Sequence, residues 1–202
     1  GKSTILRAVI ETFRILNPDG IICLGAPTGK ASRRMTETTG IENAQTLHSL
    51  LNLHGDESVW QKKPVFLNAD LLVVDESSMM DMFLAHQLFT RVRPHTRILM
   101  VGDADQLESV GPGDVLHQLI KSELVPVTVL NEIFRQAKDS PIPYNAKCIH
   151  DGVTDLCFDD EYFSFTQVKS QEEAAEYICK MYLQEVEKSG VEKVQILSPF
   201  RS

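Results

Sequence analysis

The sequence predicts an α/β fold in which helices cover both faces of a parallel sheet. Segments with helical periodicity alternate with short apolar runs along the chain, and this alternation is typical of parallel strands joined by crossover helices. The run Leu71–Val74 is apolar at every position, as expected for a strand that is buried on both faces. The chain has 202 residues, enough for one such domain and part of a second.

Each element is predicted from local pattern and end signals. The predicted helices cover residues 3–17, 30–38, 79–91, 115–120 and 170–189. The predicted strands are short apolar runs at 21–24, 71–74, 97–101, 127–130 and 194–197. Ser170 and Glu173 form a capping-box pattern that opens the last helix. Gly40 and Gly190 stand where the second and last helices should stop.

Composition indicates a globular protein and gives no electrostatic support for nucleic-acid binding. Hydrophobic residues make up 43% and the formal net charge is −8, whereas a protein that binds nucleic acid through its overall charge would be basic. Any such contact must therefore be made in a local groove. No apolar run approaches the ~20 residues of a membrane-spanning helix. The four cysteines form no C-x-x-C pair, so we expect reduced thiols in a cytoplasmic protein.

The chain opens with Gly1-Lys2-Ser3-Thr4 at the start of the first predicted helix. This tetrapeptide matches the end of the phosphate-binding loop G-x-x-x-x-G-K-[ST]. In that loop the lysine reaches the β- and γ-phosphates, the hydroxyl holds Mg²⁺, and free N–H groups of the helix N-terminus point at the anion. Taken alone, a polar helix start is the simpler interpretation.

Two carboxylates, Asp75 and Glu76, follow the buried strand directly. At the carboxyl end of a strand, Asp75 can hold Mg²⁺ through water, and Glu76 can orient and deprotonate the attacking water. The alternative is a strand that ends in a solvated acidic turn. We favour the functional interpretation because no Lys or Arg nearby in the sequence balances the pair.

Two further polar residues, Gln106 and Arg135, follow these motifs along the chain. Gln106 lies in Gly102–Leu107, after the next predicted strand, and its amide can sense a γ-phosphate because it accepts from water and donates to phosphate oxygen. Arg135 is a candidate for an arginine offered to the γ-phosphate. Considered one at a time, Gln106 would lie in a polar turn and Arg135 would be a surface charge. Their order along the chain favours a common nucleotide site.

With these motifs in place, the chain resembles the superfamily 1 helicases of the RecD type, the alpha subunit of exodeoxyribonuclease V and its stand-alone bacterial relatives. The match is most specific at motif III, although Glu108 stands where that family usually has Pro. The segments that resemble helicase motifs I, Ia, the next DNA-contact motif, II, III and IV are Gly1–Thr4, Ala26–Ala31, Thr46–Leu51, Val74–Met79, Gly102–Leu116 and Leu130–Gln136.

The resemblance implies a P-loop, RecA-like three-layer fold and ATP-driven 5′→3′ movement along single-stranded DNA in repair or recombination. It implies a first RecA-like domain at 1–123, without its first strand, and part of a second at 124–202. The residues implied at ATP are Gly1, Lys2, Ser3 and Thr4, with Ser3 and Asp75 at Mg²⁺. The catalytic residues implied are Glu76, Gln106 and Arg135. The residues implied at DNA are Thr28, Lys30, Thr46 and His48.

Without the resemblance, the DNA candidates have simpler interpretations. Thr28 would be a helix cap, Lys30 a solvated charge and His48 a partly buried histidine with its hydrogen bonds satisfied. Three other functions also stay open: the helicase part of a conjugative relaxase or an RNA-directed relative, a non-catalytic helicase-like scaffold, and a P-loop ATPase that never touches nucleic acid. Intact Lys2, Asp75, Glu76 and Gln106 argue against the scaffold.

The resemblance also sets expectations for partners. Single-stranded DNA is the expected partner, with nuclease or helicase subunits as candidates and no membrane contact. Because the later helicase motifs are not in these 202 residues, we expect the isolated chain not to unwind DNA.

Overall fold

The computed structural model describes residues 2–53, 64–130, 140–159 and 162–198. Gly1, Arg135 and most of the segment that resembles motif IV lie outside these residues. The chain divides into two compact units, residues 1–136 and 137–202. The expected division into RecA-like domains between residues 123 and 124 stays a prediction.

A parallel four-stranded sheet forms the centre of the first unit. Its strands are β1 (Ile22–Ala26), β2 (Gln45–Thr46), β3 (Leu71–Val74) and β4 (Arg97–Met100). They lie in the order β2-β1-β3-β4, and every neighbouring pair is parallel. The carboxyl ends of all four strands therefore meet at one edge of the sheet, where ligands bind in open α/β folds.

Four of the five α-helices described in the first unit begin directly after a residue whose side chain caps them. They are α1 (Lys2–Leu16), α2 (Gly29–Thr39), α3 (Leu47–Leu50), α4 (Met82–Phe89) and α5 (Val115–Lys121). Thr28 caps α2 by accepting from the N–H of Ala31, and Gly40 ends α2 in the left-handed region at φ 69°. Asp81 caps α4 by accepting from the N–H of Leu84 at 2.7 Å.

Successive side chains of β3 point to opposite faces of the sheet, and the core therefore has two layers. Leu72 and Val74 face one layer and Leu71 and Val73 face the other, all 4% exposed or less. The first layer also holds Leu47 of α3, Leu51, Leu53, Met80, and Leu84, Ala85 and Leu88 of α4. The second layer holds Leu6, Ile10 and Phe13 of α1, Leu24 of β1, and Met35 of α2. The predicted α/β fold, with helices on both faces of a parallel sheet, is confirmed.

The second unit is built from α6 (Ile142–His150), α7 (Gln171–Ser189) and a 3₁₀ turn at Val191–Lys193. Ser170 caps α7 by accepting from the N–H of Glu173, and Gly190 follows the helix at φ 91°, so both predicted ends of this helix are confirmed. The Asn145 side chain is fully buried and binds the backbone of Cys157 twice, accepting from its N–H at 2.8 Å and donating to its carbonyl at 2.6 Å.

Two predicted strands are wrong. Residues 127–130 and 194–197 have no β pairing within the part of the chain that the structure describes. An apolar run becomes a strand only when a neighbouring strand accepts its hydrogen bonds, and apolar content alone does not provide one.

The helix predicted at 79–91 begins later than expected. Ser77–Met79 form a 3₁₀ turn, Met80 is extended, and Asp81 caps a helix that starts at Met82. Among the described helices, none is long and apolar enough to cross a membrane.

Candidate functional site

The described candidate residues lie at or after the carboxyl ends of strands or at the start of α1. β1 pairs with β2 so that Ala26 is opposite Thr46, and with β3 so that Gly25 is opposite Val74. The DNA candidates lie at or after the ends of β1 and β2, whereas the candidates for ATP hydrolysis follow β3 and β4. The first set is Thr28, Lys30, Thr46 and His48, and the second is Asp75, Glu76 and Gln106. The strand order separates the two candidate sets into neighbouring halves of one edge.

Lys2 and Glu76, which are 74 positions apart in the sequence, meet at this edge. The Nζ of Lys2, the first described residue of α1, lies 3.9 Å from the Oε2 of Glu76, and the two side chains are 33% and 24% exposed. An ion pair with this much solvent contact contributes on the order of 0–1 kcal/mol. Little free energy therefore opposes the separation of the two charges by a ligand.

The N-terminus of α1 is favourable for an anion. The first turn of this 15-residue helix contains no acidic residue, and Ser3 is half-buried whereas Thr4 is exposed. Free backbone N–H groups at a helix N-terminus carry partial positive charge. Lys2 adds a full positive charge at the same place.

Asp75 and Glu76 are held by hydrogen bonds to the chain on both sides of β3. The N–H of Asp75 donates to the carbonyl of Gly25 at 3.0 Å, and the N–H of Ser77 donates to the carbonyl of Val101 at 2.9 Å. The Asp75 Oδ1 accepts from the N–H of Glu76 at 2.9 Å. Glu76 itself is left-handed, at φ 49° and ψ 40°. A residue with a side chain in this region costs about 1 kcal/mol or more, and the surrounding structure must maintain it.

Gln106 is placed at the same edge, but its amide is engaged elsewhere. Its Nε2 donates to the Asp103 Oδ2 at 3.1 Å, and the side chain is exposed. The structure thus brings Lys2, Asp75 and Glu76 together and leaves the Gln106 amide bound within its own loop.

The loop that carries Gln106, residues 102–114, is fixed at both ends, which sequence reasoning did not foresee. A Cβ on Gly102 would lie 2.6 Å from Leu116 and 2.8 Å from the Ser77 Oγ, so only glycine fits there without rearrangement. At the far end the N–H of Met82 donates to the carbonyl of Pro112 at 2.9 Å. The signal that could have revealed this brace is the Gly102, Gly111 and Gly113 pattern, because glycines mark close backbone approach.

Two of the DNA candidates serve as helix caps. The hydroxyls of Thr28 and Thr46 accept from the N–H groups of Ala31 at 3.3 Å and Ser49 at 3.2 Å. The simpler interpretation of Thr28 as a cap is therefore confirmed.

The other two DNA candidates, Lys30 and His48, are exposed, so the simpler interpretation of His48 as partly buried is wrong. The helix that carries His48 lies close to β1. A Cβ on Gly25 would be 2.6 Å from the side chain of Leu47, so this close approach depends on glycine.

The exposed side of α2 carries a basic stripe, defined here as Lys30, Arg33 and Arg34. All three residues are exposed, and Arg33 and Arg34 follow Lys30 by three and four positions, which places both of them one turn further along the helix on the side of Lys30. The stripe begins beside the carboxyl end of β1. It is a local positive surface on a chain whose net charge is −8, and sequence reasoning had identified only Lys30.

The described residues contain no group of three or more His, Cys, Asp or Glu side chains arranged to hold a metal ion. Magnesium is commonly held by one or two protein carboxylates together with water and substrate phosphates. Asp75 and the half-buried Ser3 suit that mode of binding. The four cysteines are free, and burial raises the pKa of the Cys23 thiol, which suits a protonated structural thiol.

Comparison with protein families finds a match over most of the chain. Residues 1–163 match the family model described as an AAA domain.

The sequence relatives include RecD-type helicases, as the motifs indicated. The chain is 35% identical over 201 residues to the ATP-dependent RecD2 DNA helicase of Deinococcus radiodurans. This alignment covers 100% of this chain and 27% of that protein. It is 39% identical over 140 residues to the RecBCD enzyme subunit RecD of Mycobacterium tuberculosis, covering 59% of this chain and 24% of that protein. The chain thus spans about a quarter of the length of these relatives.

Solved structures show the same fold. The Pif1 helicase from Bacteroides in complex with ADP-AlF3 and ssDNA aligns with a TM-score of 0.53 at 18% identity, over 94% of this chain and 51% of that one. A double mutant of Bacteroides Pif1 helicase aligns with a TM-score of 0.52 at 19% identity, over 92% of this chain and 50% of that one. At this level of identity the likeness concerns the fold alone, and it agrees with a P-loop, RecA-like α/β architecture.

Proposed function

Because the chain belongs to the AAA domain family and has RecD-type superfamily 1 helicases as its sequence relatives, we propose that it is the ATP-hydrolysing part of a DNA helicase that moves 5′→3′ along single-stranded DNA. The observation that carries the proposal is the 3.9 Å approach of Lys2 to Glu76 at the carboxyl edge of the sheet, next to Asp75. A cation, a helix N-terminus and two carboxylates at one edge match the needs of a triphosphate and its metal ion.

ATP binding is assigned to the start of α1. Lys2 leaves Glu76 and contacts the β- and γ-phosphates, while the N–H groups of the first turn and the flanking Gly1 and Thr4 surround the phosphates. Ser3 and Asp75 would hold Mg²⁺, which neutralises charge on the phosphates when bound. The weak, solvated ion pair between Lys2 and Glu76 supports this exchange, because the incoming phosphates replace one anionic partner of Lys2 by another.

Hydrolysis is assigned to Glu76, Gln106 and Arg135. Release of Lys2 leaves the Glu76 carboxylate available to orient and deprotonate the attacking water. Gln106 has to leave Asp103 and turn toward the γ-phosphate, since its amide is now bound within its own loop. Arg135 would stabilise the charge that develops on the transferred phosphoryl group.

Single-stranded DNA is assigned to the half of the edge formed by β1 and β2. Lys30 and His48 are exposed there, and the Thr28 and Thr46 hydroxyls lie at the same strand ends. The basic stripe extends this surface along α2 and provides the local positive charge that the whole chain lacks. Because the two halves of the edge are adjacent, movement at the nucleotide can be transmitted to the DNA through β1 and β3.

The wider biological role is proposed from the relatives. Those named as RecBCD enzyme subunits are parts of a multi-subunit enzyme, so nuclease or helicase subunits are candidate partners and repair or recombination is the proposed process. The helicase part of a conjugative relaxase is the alternative.

The assignment is tested by Lys2→Ala in the complete protein that contains this chain. We expect DNA-stimulated ATP turnover to fall on the order of 10²-fold or more, because the group that compensates phosphate charge is lost. Lys180→Ala, an exposed lysine of α7, is the matched control and should keep normal turnover. Steady-state ATPase assays with and without single-stranded DNA provide the measurement, and full turnover in Lys2→Ala would refute the site.

A further inference from the structure

Ser78 has a buried hydroxyl with no hydrogen-bond partner. The residue is 7% exposed, and in the described part of the chain its Oγ is the buried side-chain polar atom left without a partner. Leaving a buried hydroxyl unbonded is unfavourable, because the group loses its hydrogen bonds to water and gains none in return. Such groups are rare in native proteins, and each one calls for an explanation.

The preceding serine provides a direct comparison. Ser77 is also buried, but its Oγ donates to the carbonyl of Val101 at 2.9 Å, and its N–H donates to the same oxygen at 2.9 Å. Two adjacent serines in one 3₁₀ turn therefore have different roles. Ser77 attaches the turn to the end of β4, whereas the Ser78 Oγ has no hydrogen-bond partner among the described residues.

The location of Ser78 links it to the candidate catalytic residues. It lies two residues after Glu76, and its N–H is 3.1 Å from the point where a Cβ on Gly102 would stand. Gly102 begins the loop that carries Gln106. The turn that holds Glu76 and the loop that holds Gln106 are thus in direct contact beside Ser78.

We propose that Ser78 is a positioning residue. Its hydroxyl forms a hydrogen bond with the backbone of the Gly102–Gln106 segment only when nucleotide is bound. This bond holds Glu76 and Gln106 together for hydrolysis. This inference rests on the proposed function. Gln106 donates to Asp103 and is exposed, so its amide must leave Asp103 before it can reach a γ-phosphate. In this proposal the Gly102–Gln106 backbone shifts with the amide and brings a backbone group within hydrogen-bond distance of the Ser78 hydroxyl.

The unbonded hydroxyl favours this movement energetically. The Ser78 hydroxyl lacks a hydrogen bond in one arrangement and has one in the other. The free energy of that hydrogen bond therefore favours the arrangement that contains it. A net gain of about 0.5–1.5 kcal/mol per hydrogen bond corresponds to about a twofold to tenfold shift in the population of the hydrolytic arrangement. Ser78→Ala removes this difference without enlarging the side chain.

The test compares Ser78→Ala with Ser77→Ala in the complete protein. Two quantities are measured: the thermal midpoint without nucleotide, and kcat and KM for ATP with single-stranded DNA present. For Ser78→Ala we expect an unchanged or raised nucleotide-free midpoint and a kcat lowered about twofold to tenfold, with little change in KM. For Ser77→Ala we expect a lowered nucleotide-free midpoint, because the bond to Val101 is lost.

The outcomes separate this inference from the proposed function. A wild-type protein without DNA-stimulated ATPase would overturn the proposed function and the role of Ser78 with it. An active wild type with an unchanged kcat in Ser78→Ala would overturn the positioning role alone. A nucleotide-free midpoint lowered as much in Ser78→Ala as in Ser77→Ala would also overturn it, since Ser78 would then stabilise the resting protein.

Discussion

At the residue scale, the backbone of Glu76 determines where the candidate base stands. Its φ of 49° is one that glycine adopts most readily and that a carboxylate residue adopts at a cost. The Asp75 Oδ1 accepts from the Glu76 N–H at 2.9 Å, which stabilises this turn locally. A glutamate at a position that glycine would occupy at less cost fits a need for the carboxylate in the proposed site.

Glu76→Gln separates binding from hydrolysis. The amide keeps the size of the side chain but cannot take a proton, so we expect turnover to fall about 10²–10⁴-fold while ATP still binds. Loss of the ion pair also leaves Lys2 without an anionic competitor, so affinity for ATP should be equal or higher. Equilibrium binding of labelled ATP and single-turnover hydrolysis in the complete protein measure the two effects. Unchanged hydrolysis would remove Glu76 as the base.

At the scale of elements, the order β2-β1-β3-β4 places the two candidate sets side by side. α2 and α3 follow β1 and β2 and present Lys30 and His48, whereas the Ser77–Met79 turn follows β3 and contacts the end of β4. The 102–114 loop is braced at Gly102 and again at Met82. Movement of this loop is therefore coupled directly to the turn that holds Glu76.

The basic stripe on α2 predicts a salt-dependent interaction. The double variant Lys30→Ala with Arg33→Ala should weaken binding of single-stranded DNA. Each lost phosphate contact should reduce the slope of log K against log salt by about 0.7. Titrations of a labelled oligonucleotide at several salt concentrations measure both the affinity and the slope.

A charge-matched control makes the stripe test specific. Lys147→Ala with Lys180→Ala removes two exposed charges from α6 and α7, so it changes the net charge equally and should leave the slope unchanged. Equal slopes in the α2 double variant and the wild type would show that the stripe does not contact DNA.

At the scale of the whole molecule, the net charge indicates that any contact with DNA is made by a local surface. The net charge of −8 opposes non-specific attraction to DNA, so the proposed contact would depend on the β1 and β2 half of the edge. The chain spans about a quarter of its RecD-type relatives. Unwinding is therefore proposed for the complete protein and not for these 202 residues alone.

The isolated 202-residue chain should not separate DNA strands. Movement along DNA requires a second domain that closes on the first when ATP binds and opens after hydrolysis. The later helicase motifs that belong to such a domain are not among these 202 residues. A fluorescence unwinding assay on a 5′-tailed duplex, run with the isolated chain and with the complete protein, measures this. Strand separation by the isolated chain would show that these residues suffice.

Local signals allowed much of the fold to be predicted from the sequence. The ends of α2 and α7 were predicted because Thr28, Gly40, Ser170 and Gly190 act on neighbouring backbone groups. The strand β3 was predicted because a run that is apolar throughout suits a strand buried on both sides. The runs at 127–130 and 194–197 were misassigned because pairing depends on a neighbouring strand, which a local pattern does not reveal.

By itself, the sequence determined which chemical groups the candidate site contains and that they follow strands or begin a helix. Only the tertiary structure decided how they meet, because Lys2 and Glu76 are 74 positions apart and only the folded sheet sets their 3.9 Å separation. It also decided that Ser77 is bonded while Ser78 is not, and that the Gln106 amide is bound to Asp103. These outcomes depend on packing between distant segments, and no local pattern of residues encodes that packing.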